Sequence, residues 1–168
     1  MRRVASIVQK SLNRQVLVVL SACAKVTNTL LDLAKTAESG NTAEVRLTIE
    51  SLRNRHWQLA KELIGDTHRL SPLEERLNQW FHRLGTFSNA ITVTKELTPR
   101  AKDYIASFGE RCSSLIFNGY LQSLGIPSAL IDSRRFLITD ASFTVAVPLL
   151  DRSQTKMESE VLPLFSRH

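Results

Sequence analysis

The 168-residue chain is poor in the residues that mark several specialised classes of protein. Its two cysteines, Cys23 and Cys112, are too few for a disulfide framework, and no CxxC spacing is present. Six glycines and five prolines exclude collagen-like and low-complexity chains. No apolar run approaches the roughly 20 residues that a membrane-spanning helix needs. We therefore expect one globular domain in a reducing compartment, the cytoplasm, with no membrane partner.

Motifs for phosphate and metal binding are also missing. The glycines lie too far apart to form a phosphate-cradling loop, which excludes a P-loop and a dinucleotide fingerprint. The histidines show no metal-ligand spacing, and we expect them at the surface or half-buried on helices (His56, His68, His82 and His168). We expect Cys112 to be a packed helix residue. The sequence predicts no metal site.

Acidic residues are absent before Asp32, whereas five basic residues lie in that stretch and the rest of the chain is close to neutral. A nucleic-acid interface normally shows a basic stripe interleaved with aromatic residues, so we expect no nucleic-acid partner. The basic start, the apolar residues 16–20 and the LSAC sequence at 20–23 together imitate a secreted lipoprotein signal. The apolar stretch is shorter than the ~7–15 residues of a signal core, and an organelle transit peptide also fits the composition.

The alternative interpretation of the start is an amphipathic helix followed by a strand. Val4, Ile7, Val8 and Leu12 share one helical face, and residues 16–20 are apolar throughout, as in a parallel sheet covered on both sides. A loop over 21–27 and a helix over 28–36 should follow. Asn41 with Glu44 resembles a capping box and predicts a long helix that ends at Gly65.

Proline-based start signals recur further along the chain. Ser71-Pro72 with Glu74 predicts the start of a helix that runs through Gly85, and Thr98-Pro99 predicts another. Gly109 should interrupt that helix, which then resumes as far as Gly125. Short strands are expected at 128–132 and 136–138, with a further candidate at 143–147, before a polar tail. Strands separated by helices favour parallel pairing and an α/β domain.

Two segments carry side chains suited to ligand binding. The loop after the first predicted strand contains Ser21 and Thr27, and open α/β sheets bind ligands at the carboxyl ends of their strands. The segment 109–113 places the carboxylate of Glu110 and the hydroxyl of Ser113 on one helical turn. Ordinary loop polarity and a glutamate that complements a helix dipole explain the same residues without a ligand.

Three motifs, taken in order, resemble those of aspartokinases across essentially the whole chain. Residues 16–28, VLVVLSACAKVTN, are similar to the family's strand and loop VVxSAxxxxTN. Residues 103–126 contain GERCS where the family has GExxS, within a helix that ends in LxxxG. Residues 130–146 match a third pattern, in Asp132, Thr139-Asp140, Phe143 and Ala146.

The resemblance implies a three-layer αβα amino acid kinase-like fold, helix-rich and incomplete here. It implies transfer of the γ-phosphoryl of ATP, with Mg²⁺, to the side-chain carboxylate of L-aspartate, the first step toward lysine, threonine and methionine. That carboxylate is ionised at pH 7 and needs no general base. By resemblance, Glu110 holds the substrate ammonium, Ser21 and Thr27 donate hydrogen bonds to the substrate region, and Ser113 supports the Glu110 turn.

Other family features are not in this sequence. The KFGGTS strand with its catalytic lysine, the GRGGSD loop and the nucleotide-contacting TDxxG segment are absent, and Thr144 follows Phe143 where a glycine is common. The resemblance therefore implies that residues 1–150 are the aspartate-binding side of a catalytic domain and that 151–168 begin the remainder. We expect no catalytic residue, no ATP or Mg²⁺ binding and no kinase activity in the isolated chain, and a homo-oligomer for the full protein. The alternative is a non-catalytic aspartate-binding or interaction module of the same fold.

Overall fold

A computed structural model describes residues 1–165 of the chain. The predicted tail, 151–168, therefore extends beyond the described residues. The prediction for His168 also lies outside them. The elements in chain order are α1 (Arg2–Lys10), α2 (Val26–Glu38), α3 (Thr42–Ile64), α4 (Thr67–Thr94), α5 (Pro99–Ala106), α6 (Phe108–Ser123), a 3₁₀ turn (Ser133–Arg135), α7 (Leu150–Glu160) and α8 (Leu162–Phe165).

Two of the predicted helix starts are confirmed by their caps. The Asn41 side chain accepts a 3.1 Å hydrogen bond from the Glu44 backbone N–H at the start of α3. The Thr98 hydroxyl accepts one of 3.1 Å from the Ala101 N–H, with Pro99 in the first turn of α5. Each cap satisfies a backbone donor that the first helical turn leaves without a partner.

The predicted start of α4 at Ser71-Pro72 is wrong. Asp66 caps the helix instead, because its carboxylate accepts a 2.9 Å hydrogen bond from the His68 N–H. Gly65 precedes it with a φ of +70°, which ends α3 and reverses the chain. Pro72 consequently lies inside α4, where it removes one backbone donor close to the helix start. The prediction that α4 continues through Gly85 is confirmed.

The predicted strand at 16–20 is also wrong, since no strand forms there. The segment is extended and its burial alternates: Val16, Val18 and Leu20 pack against a cluster around α1 and α6, whereas Leu17 is 54% and Val19 89% exposed. An extended segment becomes a strand only when a neighbour accepts its backbone hydrogen bonds. Residues 1–165 supply no such neighbour. The cluster around α1 and α6 covers one face of the segment and leaves the other exposed.

The strands predicted at 128–132, 136–138 and 143–147 are not formed either. A 3₁₀ turn occupies Ser133–Arg135, and the β-type pairing recorded within the described residues is an isolated antiparallel bridge between Thr139 and Pro148. The expected three-layer αβα arrangement is therefore not confirmed, because residues 1–165 form helices and almost no strand. Helices α2, α3, α4 and α6 enclose the main core, whose most deeply buried large side chains include Leu30, Leu33, Leu84, Ile105, Phe108 and Ile116.

The segment 139–148 is held onto α5 by a strained residue. Thr144 has a φ of +72°, in the left-handed region that favours glycine, and a β-branched side chain is an outlier there. Its N–H donates a 2.7 Å hydrogen bond to the Asp103 carboxylate, which keeps the backbone in this conformation. The glycine that is common at this position in the similar family is thus explained by the backbone.

Helix α7 is fixed to the extended residues before it through one hydroxyl. Ser153 accepts a 2.9 Å hydrogen bond from the Ile138 N–H and donates one of 3.1 Å to the Ile138 carbonyl. An ion pair between Arg135 and Glu160 lies at the far end of the same helix. Among the helices described here, none is both long enough and apolar enough to cross a membrane.

Candidate functional site

The loop after residue 20 lies against the first turns of α6 and brings three of the four predicted site residues together. The Ser113 hydroxyl donates a 2.8 Å hydrogen bond to the Ser21 carbonyl and a 3.0 Å bond to the Glu110 carbonyl. The Ala22 N–H donates to Glu110 Oε1 at 3.3 Å. Glu110 and Ser113 thus hold the loop, and the loop orients the Glu110 carboxylate in return.

A glycine makes this approach possible. A Cβ atom at Gly109 would stand 2.7 Å from the Ala22 Cβ and 3.3 Å from the Val26 side chain. Real Cβ atoms do not come so close, so any side chain at this position would push the loop from the helix. The interruption predicted at Gly109 occurs just before it, at Ser107, where α5 ends and α6 begins.

Thr27 is the predicted residue that the structure does not join to the other three. It is half-buried in the first turn of α2, just after Lys25, whose φ of 68° turns the chain into the helix. Within residues 1–165, no hydrogen bond of its hydroxyl is recorded. Its predicted contact with a substrate stays a prediction.

A cleft of about 580 Å³ lies beside the loop, between the start of α1, the middle of α3 and α6. Ser21 and Ser113 line it together with His56, Cys23 and Arg55. The Arg55 guanidinium donates a 2.6 Å hydrogen bond to the Ala24 carbonyl and so fixes the other end of the loop.

The structure corrects the prediction for His56, which is only 2% exposed. Its Nδ1 lies 2.7 Å from the Leu52 carbonyl, and because a carbonyl can only accept, Nδ1 carries the proton. Burial lowers the pKa of His56, so the ring is neutral at pH 7 and its Nε2 is an acceptor. No partner for that buried nitrogen is found in the described structure.

Burial disfavours the reactive thiolate form of both cysteines. Burial raises the pKa of Cys112 to about 12, and burial also raises the pKa of Cys23, so both thiols stay protonated at pH 7. Cys112 is 1% exposed, which confirms that it is a packed helix residue. In residues 1–165 no group of three His, Cys, Asp or Glu side chains could hold a metal ion.

Three features of this site were not predicted from the residues. The partner of Glu110 is a backbone N–H, which any residue at position 22 would supply. Gly109 was predicted as an interruption rather than as a contact, although its position directly before Glu110 in GERCS was a usable signal. The depth of His56 was missed because its apolar neighbours come from other helices.

Comparison with known proteins identifies the family. A model of the amino acid kinase family matches residues 1–163. This chain belongs to the amino acid kinase family. Aspartokinase 1, chloroplastic, of Arabidopsis thaliana is 32% identical over 145 residues, which are 83% of this chain and 24% of that protein. The aspartokinase of Chlamydia trachomatis is 31% identical over 154 residues, 92% of this chain and 32% of that protein.

Solved structures of the family agree with the fold. Aspartokinase III of E. coli in complex with lysine and aspartate superposes with a TM-score of 0.87 at 24% identity, covering 99% of this chain and 35% of that one. The same enzyme in complex with aspartate and ADP gives a TM-score of 0.83 at 25% identity, covering 99% and 35%. The resemblance to aspartokinases is confirmed. The chain spans 24% of the length of the first of these two curated relatives and 32% of the second.

Proposed function

We propose that this chain is the aspartate-binding side of an aspartokinase. In the whole protein, the γ-phosphoryl of ATP is transferred to the side-chain carboxylate of L-aspartate to give 4-phospho-L-aspartate. The observation that carries the proposal is the direct contact between two sequence motifs that lie far apart in the chain. Glu110 and Ser113 from GERCS bind the backbone of the SAC sequence at Ser21 and Ala22.

The chemistry of these residues fits an amino acid ligand. Glu110 is half-buried, where a carboxylate attracts an ammonium more strongly than it does in open water. Its recorded contact within the described residues is a single long bond to Oε1, which leaves Oε2 for the substrate ammonium. We propose that the hydroxyls of Ser21 and Thr27 donate hydrogen bonds to the substrate and that Ser113 supports the Glu110 turn.

ATP and Mg²⁺ are assigned to the whole enzyme and not to these residues. The described part of the chain offers no cluster of three metal-ligating side chains, and the sequence has no glycine-rich loop for phosphates. We propose residues 1–150 as the aspartate side of the catalytic domain and 151–168 as the start of the remainder, with the isolated chain inactive.

The related alternative is a non-catalytic module that binds aspartate or a partner through the same fold. In either case we propose a cytoplasmic protein, active as a homo-oligomer when complete, with no nucleic-acid or membrane partner. The lipoprotein interpretation fits less well, because Cys23 of the LSAC sequence is half-buried in the main core.

Binding of L-aspartate to the 168-residue chain, measured by isothermal titration calorimetry, tests the site. We expect saturable binding that Glu110→Gln removes and that Glu38→Gln, at an exposed position on α2, leaves unchanged. D-aspartate and succinate, which lacks the ammonium, should bind more weakly. If Glu110→Gln weakened the binding of succinate as much as that of L-aspartate, Glu110 would not be the group that holds the ammonium.

Catalysis is tested separately, by ATP-dependent formation of aspartyl hydroxamate. The isolated chain should give no more product than a boiled control, whereas a protein that also carries the KFGGTS and GRGGSD segments should give product. In that protein, Glu110→Gln should raise the KM for aspartate more than it lowers kcat. Aspartate binding without hydroxamate formation in the longer protein would favour the non-catalytic module.

A further inference from the structure

Arg111, the residue after Glu110, packs against two aromatic rings. Its guanidinium carbon is 4.6 Å from the centre of the Trp80 ring and 4.5 Å from the centre of the Phe108 ring. These distances lie within the range of cation–π contacts. The N–H groups of a guanidinium lie at the edges of its plane, where hydrogen-bond acceptors bind.

Those edges are not satisfied. Nε and Nη1 of Arg111 are buried and have no hydrogen-bond partner in the described structure. A buried charged donor without a partner is costly, and native proteins rarely keep one without a reason. Nη2 forms one planar edge with Nε and the other with Nη1, and Arg111 as a whole is only half-buried. A ligand that reaches Nη2 would therefore also satisfy a second nitrogen.

The neighbouring carboxylate does not compensate this charge. Asp132 is bound in a bidentate pair by Arg134, whose Nε lies 2.9 and 3.1 Å from its two oxygens. Burial, and after it the nearby Arg134, lower the pKa of Arg111, whereas Asp132 raises it less. The Asp132 carboxylate is thus committed to Arg134, and the influence of Arg134 on Arg111 outweighs that of Asp132, so the charge of Arg111 is not compensated.

We propose that Arg111 binds one planar or tetrahedral anionic group, a carboxylate or a phosphate, of a small ligand. A guanidinium edge matches two oxygens of either group in a bidentate pair. The bound anion would supply the acceptors that the buried nitrogens lack and neutralise the charge of Arg111. Nothing in the described structure assigns a ligand to this location.

The proposed anion site is distinct from the candidate aspartate site. Glu110 contacts the loop at Ala22, whereas Arg111 contacts Trp80 on α4 and Phe108 on its own helix. The two side chains are consecutive on α6 but engage different elements. The inference consequently does not depend on the proposed kinase function, and aspartate binding at Glu110 can fail without affecting it.

The fluorescence emission of Trp80, which lies beside Arg111, reports on the proposed site. The chain has two tryptophans, and Trp57→Phe leaves Trp80 as the sole source of tryptophan emission. The full chain with this change is titrated with inorganic phosphate and, separately, with succinate, at ionic strength held constant with sodium chloride. We expect a saturable change in Trp80 emission with one or both anions, and the anion that saturates identifies the group.

Variants of the two arginines near Trp80, Arg111 and Arg76, distinguish binding at Arg111 from a general salt effect. Arg111→Gln should abolish the titration, and Arg111→Lys, which keeps the charge but loses the planar edge, should weaken it by about tenfold. Arg76→Gln is the matched control, because Arg76 also lies over Trp80, at 5.9 Å, but has no role in the proposed site. Circular dichroism verifies that each variant is folded.

A change at Asp132 tests the sign of the electrostatic argument. Asp132→Asn removes a negative charge near Arg111 and should tighten binding of the anion severalfold. The proposal is overturned if the emission does not saturate, if Arg111→Gln titrates like its parent, or if Asp132→Asn weakens binding. It is also overturned if Arg76→Gln and Arg111→Gln reduce the response equally.

Discussion

The Ser113 hydroxyl donates a 2.8 Å hydrogen bond to the carbonyl oxygen of Ser21, across a sequence separation of 92 residues. The bond joins the loop before α2 to the second turn of α6, and Ser113 is only 1% exposed. Because the Ser21 carbonyl belongs to a loop without regular secondary structure, a side chain supplies the donor that a neighbouring strand would otherwise provide. The candidate site is therefore assembled by side chains acting on backbone groups.

Ser113→Ala should lower the free energy of unfolding by about 1–2 kcal/mol, because it leaves a part-buried carbonyl without its donor. It should also weaken L-aspartate binding, since the loop at Ser21 loses its attachment. Chemical denaturation and calorimetry measure the two effects. Ser123→Ala is the control: Ser123 donates within its own helix, to the Tyr120 carbonyl, but makes no contact with the loop. Equal losses in the two variants would contradict the role given to the Ser21 contact.

Gly109→Ala should destabilise the chain by about 1–3 kcal/mol, because the added methyl group overpacks the contact with Ala22. Gly85→Ala is the matched change in a helix interior. Its Cβ would meet only the Ile49 side chain, at 3.9 Å, so the gain in helix propensity of about 1 kcal/mol should appear undiminished. Thermal melts of both variants give the comparison, and the prediction fails unless their effects have opposite signs.

Thr144→Gly should raise the free energy of unfolding by about 1 kcal/mol, because glycine adopts the φ of +72° without the steric cost that threonine bears. Part of the relief is offset by the greater freedom of glycine in the unfolded chain. Thr139→Gly, at a position outside the left-handed region, should instead be neutral or destabilising. Denaturant titrations that rank the two variants in the reverse order would contradict the strain at Thr144.

The pair of Asp132 and Arg134 should make stability depend on acid pH. Hydrogen bonds from Arg134 hold the pKa of Asp132 below its ordinary value. The stabilisation is therefore complete above the unfolded-state pKa, about 3.9 for aspartate, and is lost as the pH falls through the lower folded-state value. We expect wild type to be more stable than Asp132→Asn at neutral pH, with the difference narrowing below about pH 4. Denaturation at several pH values measures it, and a constant difference would be inconsistent with the pair.

Local signals predicted the helical part of this fold well. Asn41, Thr98 and the glycines that follow α2 and α6 act within a few residues of themselves, so their effect can be deduced from the sequence. The predicted start of α4 was wrong because two capping signals, Asp66 and Ser71-Pro72, lie within two helical turns of each other. Asp66 is the N-cap that the structure uses, because α3 ends at Gly65 and the next helix can begin directly after it.

The strand predictions were wrong for a different reason. A strand forms only when a partner segment, which is often distant in the sequence, accepts its backbone hydrogen bonds. Residues 16–20 have the composition of a buried strand, yet Val19 is 89% exposed because no described element covers that face. The candidate site was partly predictable: the motif resemblance selected Ser21, Glu110 and Ser113, which the structure brings together. The backbone donor at Ala22 carries no signal in residue type, and Arg111 was hidden because its aromatic partners come from two helices.

The hydrogen bonds of the Ser153 hydroxyl limit how the protein can associate with other copies of itself. An extended segment with unused backbone donors and acceptors can pair with a second molecule, which is a common route to aggregation. Ser153 occupies both the N–H and the carbonyl of Ile138, so a helix side chain protects that stretch from intermolecular pairing. The residues at 16–20 have no comparable protection within the described structure, and self-association in concentrated solution should begin there rather than at Ile138.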